Sequence, residues 1–360
     1  MADLHHYLHQ LLEHRGSDLH LKVGAVPHVR VDGKLTPLLG NPLSIGDLEA
    51  MVDATLPDAR RVELDRFGDT DFAISVNGVG RFRVNVHRQR GSYGVVVRCV
   101  PPGLPSWDQL GLPVSIRRLV ETTSGLVLIA GPAGSGRSTT AAMLLDHVNA
   151  TRAASIVTFE HPIEVLHPDK RSLVSQREVG ADTPGFAEGI MRVIRQDCDV
   201  LYVSDVADAA VANGLLVAAT SGRLVIAVVT AVSVVNAVSG FLDLFPEADR
   251  PVVRRSLGGC LRGVSVQHLV DRTDGRGRVP AVEVMVGTSR VSEVMLEPTK
   301  ALEQLDRVIS EGTYNGMQPM QQSLYELCVE NMVSIADALR LASAPEDLRI
   351  ALEKAGLAAR

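Results

Sequence analysis

Residues 126–140, LVLIAGPAGSGRSTT, constrain the fold of this chain more than any other stretch. Leu126 to Ala130 is an uninterrupted apolar run of strand length, Gly131 and Gly136 stand at the spacing G-x-x-x-x-G, and hydroxyl residues follow at the opening of a helix. A strand buried on both faces that turns straight into a helix belongs in a parallel sheet with helices on both sides. The backbone N–H groups of such a loop, together with the helix N-terminus, form a nest for phosphate, and the first hydroxyl is placed to reach Mg²⁺. Gly131, Gly134, Ser135, Gly136, Arg137, Ser138 and Thr139 are therefore the expected phosphate-binding set. Glycine is needed because a Cβ would stand where the phosphates approach. Arg137 occupies the position where such loops carry lysine.

The surrounding sequence continues the same pattern. Apolar strands alternate with helical stretches in ASIVTFE, GFAEGIMRVIRQ, DVLYVSD, AAVANGLLVAATS and RLVIAVV, as a covered parallel sheet requires. The first hundred residues differ. The alternating segments RFRVNV and YGVVVRCV, separated by RQRGS, predict a hairpin in a mainly antiparallel sheet of a small α+β domain. Between the two patterns lies PPGLPSWDQLGLP, whose four prolines discourage continuous secondary structure. The expected organisation is an N-terminal α+β domain over 1–100, a linker over 101–113, a phosphate-loop core over 114–288 and a helical C-terminal region over 289–360.

Composition removes several function classes. A net charge of -6 without any block of basic residues argues against binding nucleic acid through its phosphates. Four cysteines with no CxxC pair predict neither a zinc ribbon nor a disulfide scaffold, and the charged, histidine-bearing N-terminus lacks the apolar stretch of an export signal. The uncharged run Leu224 to Leu242 is about as long as the ~20 residues that cross a bilayer. Its β-branched start and the polar Thr230, Ser233, Asn236 and Ser239 instead predict a buried strand followed by a packed helix, with no transmembrane span.

Taken in order, SDLHLKVGAVPHVRVDGKL, ARRVELDRFGDTDFAISVNGVGRFRVNVHRQRG, the phosphate loop, TFEHPIEVLHPDKRSLVSQREVGADTPGFAEGIMRVIRQDCDVLYVSDVAD, DGRGRVPAVEVMVGT and NGMQPMQQSL resemble the type IV pilus retraction ATPases of the secretion ATPase superfamily. The resemblance covers nearly the whole chain. It implies a PAS-like N-terminal domain, a RecA-like core and a helical tail, and a cytoplasmic hexameric ring with ATP and Mg²⁺ between subunits. The ring would lie peripherally at the inner membrane and act on pili through a platform protein there.

Residue by residue, the same resemblance marks the expected chemistry and its departures. Glu160 and Glu164 match the family's T-I-E-D-P-I-E, with His161 in place of the aspartate, and Glu160 is implied to order water or metal. In DVLYVSDVAD, Asp205 stands for the catalytic glutamate, Ser204 for a glycine and Ala207 for an arginine. Asp205 is thereby implied as a catalytic and metal-binding group alongside Ser138, one methylene shorter than the family's residue. Thr230 stands where the family has histidine and cannot take a proton near neutral pH. Arg83 and Arg98 match the hairpin arginines that face a neighbouring subunit's nucleotide, the other reading being solvated arginines paired with Asp69 or Asp71. The tail stretch RVSEVMLE lacks the family's internal arginines. Two functions are expected from this pattern: a ring motor that couples ATP to pilus disassembly, or a hydrolysis-deficient subunit that modulates an intact paralogue, in a homo-hexamer or a mixed ring.

Overall fold

The computed structural model describes residues 3–357 apart from 32, 101–102 and 298–300, and among these the chain forms two units, 1–103 and 104–360. The first two residues of the expected linker lie outside the described residues.

The first unit contains helix α1 (Leu4–Glu13), strands β1 (Asp18–Lys22), β2 (His28–Val31) and β3 (Lys34–Pro37), helices α2 (Ile45–Thr55) and α3 (Asp58–Phe67), and strands β4 (Asp69–Val76), β5 (Gly80–Gln89) and β6 (Ser92–Val100). The strands form one antiparallel sheet in the order β3-β2-β1-β6-β5-β4. The β5–β6 hairpin turns at Arg90 and Gly91, within RQRGS, as the alternation predicts. Strict alternation sends Phe82, Val84, Val86, Val95 and Val97 to one face, where they pack with Leu8, Leu48, Met51 and Leu64 of the helices. Ser44 and Asp47 cap α2 reciprocally, which fixes where that helix starts.

The second unit opens with the short helices α4 (Trp107–Leu110) and α5 (Val114–Arg118), then strand β7 (Gly125–Gly131) and helix α6 (Arg137–Thr151). Strands β8 (Ser155–Glu160) and β9 (Leu173–Glu178), helix α7 (Phe186–Val193), strand β10 (Val200–Val203), helix α8 (Ala209–Thr220), strand β11 (Leu224–Thr230), and helices α9 (Val234–Asp243) and α10 (Arg250–Cys260) follow. Strands β12 (Leu261–Asp271) and β13 (Arg278–Val286) precede the tail helices α11 (Ser289–Leu296), α12 (Gln304–Glu311), α13 (Met320–Val329), α14 (Ile335–Leu341) and α15 (Pro345–Lys354). The sheet order is β13-β12-β7-β11-β10-β8-β9, parallel except for the edge strand β13.

Each central strand is buried on both sides, which is why it reads as continuously apolar. Leu126, Leu128 and Ala130 of β7 enter the core beneath α7 to α12, while Val127 and Ile129 pack against α6. The run Leu224 to Leu242 resolves into the central strand β11 and the amphipathic helix α9, as its polar interruptions predict. Among the described residues, no helix is long and apolar enough to cross a membrane. The parallel strands all end on the same side, so the loops after β7, β8, β10 and β11 gather at one rim.

Candidate functional site

At that rim, Gly131 leaves β7 into a loop that doubles back beneath α6. A Cβ on Gly131 would come within 2.5 Å of the Gln267 carbonyl oxygen and 2.3 Å of Ser135 Oγ, so the strand-to-loop turn is closed to other residues. Gly134 and Gly136 have φ of 75° and 88°, in the left-handed region that glycine enters freely. Gly136 is also the N-cap of α6 and offers no side-chain acceptor, leaving first-turn N–H groups of a 15-residue helix available to an anion. Ser135 is buried, and its hydroxyl has no partner among the described residues.

Gln267, buried on β12, fixes the loop from below. Its amide nitrogen donates to the Ser135 carbonyl at 2.5 Å, and its amide oxygen accepts from Thr140 Oγ1 at 2.7 Å. One side chain thus satisfies both the loop and the first turn of α6. Sequence reasoning missed it, although a lone glutamine inside the apolar strand stretch RGVSVQHLV is the signal that was available.

Arg137 and Ser138 face a cavity of about 240 Å³ that Glu160, Glu164, Tyr202, Ser204 and Asp205 also line. The fold therefore gathers Ser138, Glu160 and Asp205 in one place although they are far apart in sequence. Ser138 brings a hydroxyl and Glu160, Glu164 and Asp205 bring carboxylates to this lining, oxygen donors of the type Mg²⁺ takes, but among the described residues no three carboxylate, histidine or cysteine side chains stand close enough to hold a metal by themselves. Gly136 and Thr139 open instead onto a second cavity of about 380 Å³, between Leu112, Leu269 and Arg278. The two cavities flank the start of α6 and meet the loop from different sides.

Glu160 is not a surface side chain. It is buried at the end of β8, where it accepts from Thr158 Oγ1 at 2.7 Å and Gln176 Nε2 at 2.9 Å. Burial raises its carboxyl above the ordinary range, opposed by those two bonds and by one from the Glu164 backbone. Gln176 in turn donates to the Val165 carbonyl at 2.8 Å and accepts the His167 N–H at 2.8 Å, holding the chain after Pro162 over the cavity. Burial lifts the Tyr202 hydroxyl well above its ordinary value, with the nearby Glu160 and Glu164 adding to it, so the phenol stays neutral. Asp205, by contrast, is exposed at the mouth. Asp208 caps α8 by accepting the Val211 N–H at 2.9 Å, which holds the loop carrying Asp205 at the end of β10.

Four of the departures from the resembled pattern meet in pairs. Arg137 Nη1 donates to Thr230 Oγ1 at 2.6 Å and to the Val229 carbonyl at 2.9 Å. The Ser204 hydroxyl accepts the His161 N–H at 3.2 Å.

Arg83 and Arg98 lie in the first unit, on the polar face of its sheet. Register sets Arg30, Asp18, Arg98 and Arg83 in one row across β2, β1, β6 and β5. The partner of Arg98 is the buried Asp18, at 2.7 Å from Nε, and neither Asp69 nor Asp71. Burial pushes the Asp18 carboxyl up, but bonds from Ser17 and Arg98 and the Arg98 charge hold it below the ordinary range. Arg83 is partly buried and makes no hydrogen bond among the described residues.

The type II/IV secretion system protein family matches residues 3–324. The chain is 36% identical to the type IV pilus retraction ATPase PilT of Pseudomonas aeruginosa over 331 residues, 92% of this chain and 95% of that protein. It is 30% identical to the type IV pilus ATPase PilU of the same organism, across 96% of this chain and 90% of PilU. Among solved structures, the pilus retraction motor PilT with bound ADP superimposes with a TM-score of 0.89 at 32% identity, covering 96% of this chain and 99% of that one. The ATPase DotB of Legionella pneumophila shares the fold, with a TM-score of 0.81 at 22% identity.

Proposed function

Because this chain belongs to the type II/IV secretion system protein family, alongside the type IV pilus retraction ATPases, we propose that it is a nucleotide-binding subunit of a hexameric pilus motor that holds ATP and turns it over slowly. The observation that carries this reading is the convergence of Ser138, Glu160 and Asp205 on one cavity beside a glycine loop that presents backbone N–H groups.

In this reading Gly131, Gly134, Ser135, Gly136 and Thr139 surround the phosphates, with the second cavity beside Thr139 available to the base and sugar. Ser138, with Asp205, would hold Mg²⁺, which when bound supplies positive charge against the phosphate oxygens. Arg83 and Arg98 would serve the nucleotide of a neighbouring subunit. ADP bound in the PilT structure supports nucleotide as the ligand. Location at the cytoplasmic face of the inner membrane, beside a platform protein, follows the same likeness.

Slow turnover has its own support. Glu160 already accepts hydrogen bonds from Thr158 Oγ1, Gln176 Nε2 and the Glu164 backbone, so its carboxylate is committed to the protein rather than to a water. Asp205 is short and exposed, and Thr230 offers no titratable group. Losing one electrostatic stabiliser typically lowers a rate by ~10²-fold. These features favour the second reading, a ring subunit that modulates an intact paralogue, as the limiting case.

The test is steady-state ATP hydrolysis by the purified protein beside the variant Arg137→Lys, Asp205→Glu, Thr230→His. The restored variant is expected to exceed the unmodified chain by ~10²-fold or more. Rapid turnover by the unmodified chain would remove the slow-motor and modulator readings, and failure to bind nucleotide would remove the motor reading itself.

A further inference from the structure

We propose that Thr230 is the positioning residue for the phosphate-contacting cation of this site: with the Val229 carbonyl it forms a seat that holds the Arg137 guanidinium ready before nucleotide arrives. The inference rests on the reading of the glycine loop as a nucleotide site.

The geometry begins with strand pairing. β7 and β11 run parallel with Thr230 in register with Gly131, so the residue that starts the loop lies beside the residue that ends β11. Arg137 is at the other end of the loop, the first residue of α6. Its side chain reaches back to Thr230 Oγ1 at 2.6 Å and to Val229 O at 2.9 Å. The loop is thereby closed twice, once by the backbone ladder at Gly131 and once by the Arg137 side chain.

The same nitrogen makes both contacts. Nη1 carries two hydrogens, and a carbonyl and a hydroxyl oxygen take one each. Nε–H and the two hydrogens of Nη2 make no hydrogen bond among the described residues, and that edge of the guanidinium is the one that matches two oxygens of a phosphoryl group. A lysine in this place has one ammonium and no second edge, so it cannot rest on a seat and grip phosphate in the same planar way. Arg137 and Thr230 therefore act as a coupled pair: the arginine needs an acceptor at the end of β11, and threonine supplies one without adding charge. Holding the cation in place beforehand spares the side-chain ordering that a free arginine undergoes on binding.

The experiment titrates the full-length protein with a fluorescent ATP analogue, mant-ATP, in the presence of Mg²⁺. Thr230→Val keeps the shape and removes the acceptor, whereas Thr230→Ser keeps the acceptor. The valine variant is expected to bind about tenfold more weakly and the serine variant within about twofold of the unmodified chain, with unchanged thermal unfolding in both. In the Arg137→Lys background, Thr230→Val is expected to have no further effect. Binding by the valine variant that is unchanged or tighter, or an equal loss in both backgrounds, overturns the inference while leaving the site reading intact. If the unmodified chain binds no mant-ATP, the site reading falls and this inference falls with it.

Discussion

Gln267 joins the phosphate loop to its sheet through one amide, so the cost of losing it is shared between two buried partners. Gln267→Leu would leave the Ser135 carbonyl and the Thr140 hydroxyl unsatisfied, each worth about 1–3 kcal/mol. Gln267→Glu is expected to be worse at neutral pH, because a carboxylate would face the Ser135 carbonyl where an N–H now donates. Acidification should then narrow the gap between the two variants, since a protonated carboxyl can donate again. Urea unfolding at pH 5 and pH 7.5 reads both effects, and a glutamate variant no less stable than leucine at pH 7.5 would show that the amide hydrogen bonds do not hold the loop. The same residue shows what was legible beforehand. The glycine loop from Gly131 to Ser138 is readable because its chemistry is local, whereas Gln267 meets Ser135 from 132 residues away. Glu160 and Asp205 were marked through resemblance, but the burial of one and the exposure of the other depend on the sheet. Arg137 and Thr230 were each visible as departures; that they touch is a consequence of strand order, which no local pattern encodes.

Helix α9 begins on a buried carboxyl that the strand beneath it supplies. Glu283 of β13 accepts the Val234 N–H at 2.7 Å, a carboxyl at a helix N-terminus. Burial nevertheless pushes its carboxyl from the ordinary 4.5 up to about 7; the Val234 bond opposes that rise and Asp306 of α12 adds to it. Between those two values the folded chain keeps a proton that the unfolded chain has released, so this group's contribution to stability falls as pH rises through that window. The full shift corresponds to about 3 kcal/mol. Glu283→Gln keeps an acceptor for Val234 and cannot titrate. Unfolding free energies of the two proteins, compared at pH 4.5 and pH 8, are expected to show the unmodified chain losing about 3 kcal/mol relative to the glutamine variant. Parallel pH dependence in the two would mean that Glu283 does not carry a raised pKa. Element by element, apolar strands and hairpins were legible because their patterns are strong. Strand β9, LVSQRE, was not read as one, because an edge strand with Ser175, Gln176 and Arg177 shows neither a continuous apolar run nor a clean alternation. Its position matters, since Gln176 on it holds Glu160.

Among the described residues each unit buries apolar cores of its own, and the sheets explain why. The first unit closes its own core of Leu8, Leu11, Leu19, Leu48, Leu64, Phe82 and Val97 between an antiparallel sheet and three helices, without needing a strand from the rest of the chain. A six-stranded sheet with one covered face and about a hundred residues has the size of domains that fold alone. The second unit buries its parallel strands on both faces with helices of its own. Residues 1–103 expressed alone are therefore expected to fold cooperatively, with a dispersed amide NMR spectrum and a single thermal transition. Asp18 supplies an internal check, because it is buried and its partners Ser17, Arg30 and Arg98 all lie within the fragment. Asp18→Ala removes the carboxylate that stands between Arg30 and Arg98 in the row, leaving Arg30, Arg98 and Arg83 as neighbouring like charges without it, and like charges opposite one another destabilise a sheet. The fragment should then melt at lower temperature, and added salt should recover part of the loss by screening. A fragment that is unfolded in isolation, or an Asp18→Ala form whose melting is indifferent to salt, would mean that the first unit depends on the second for its stability or that the arginine row is not held by Asp18.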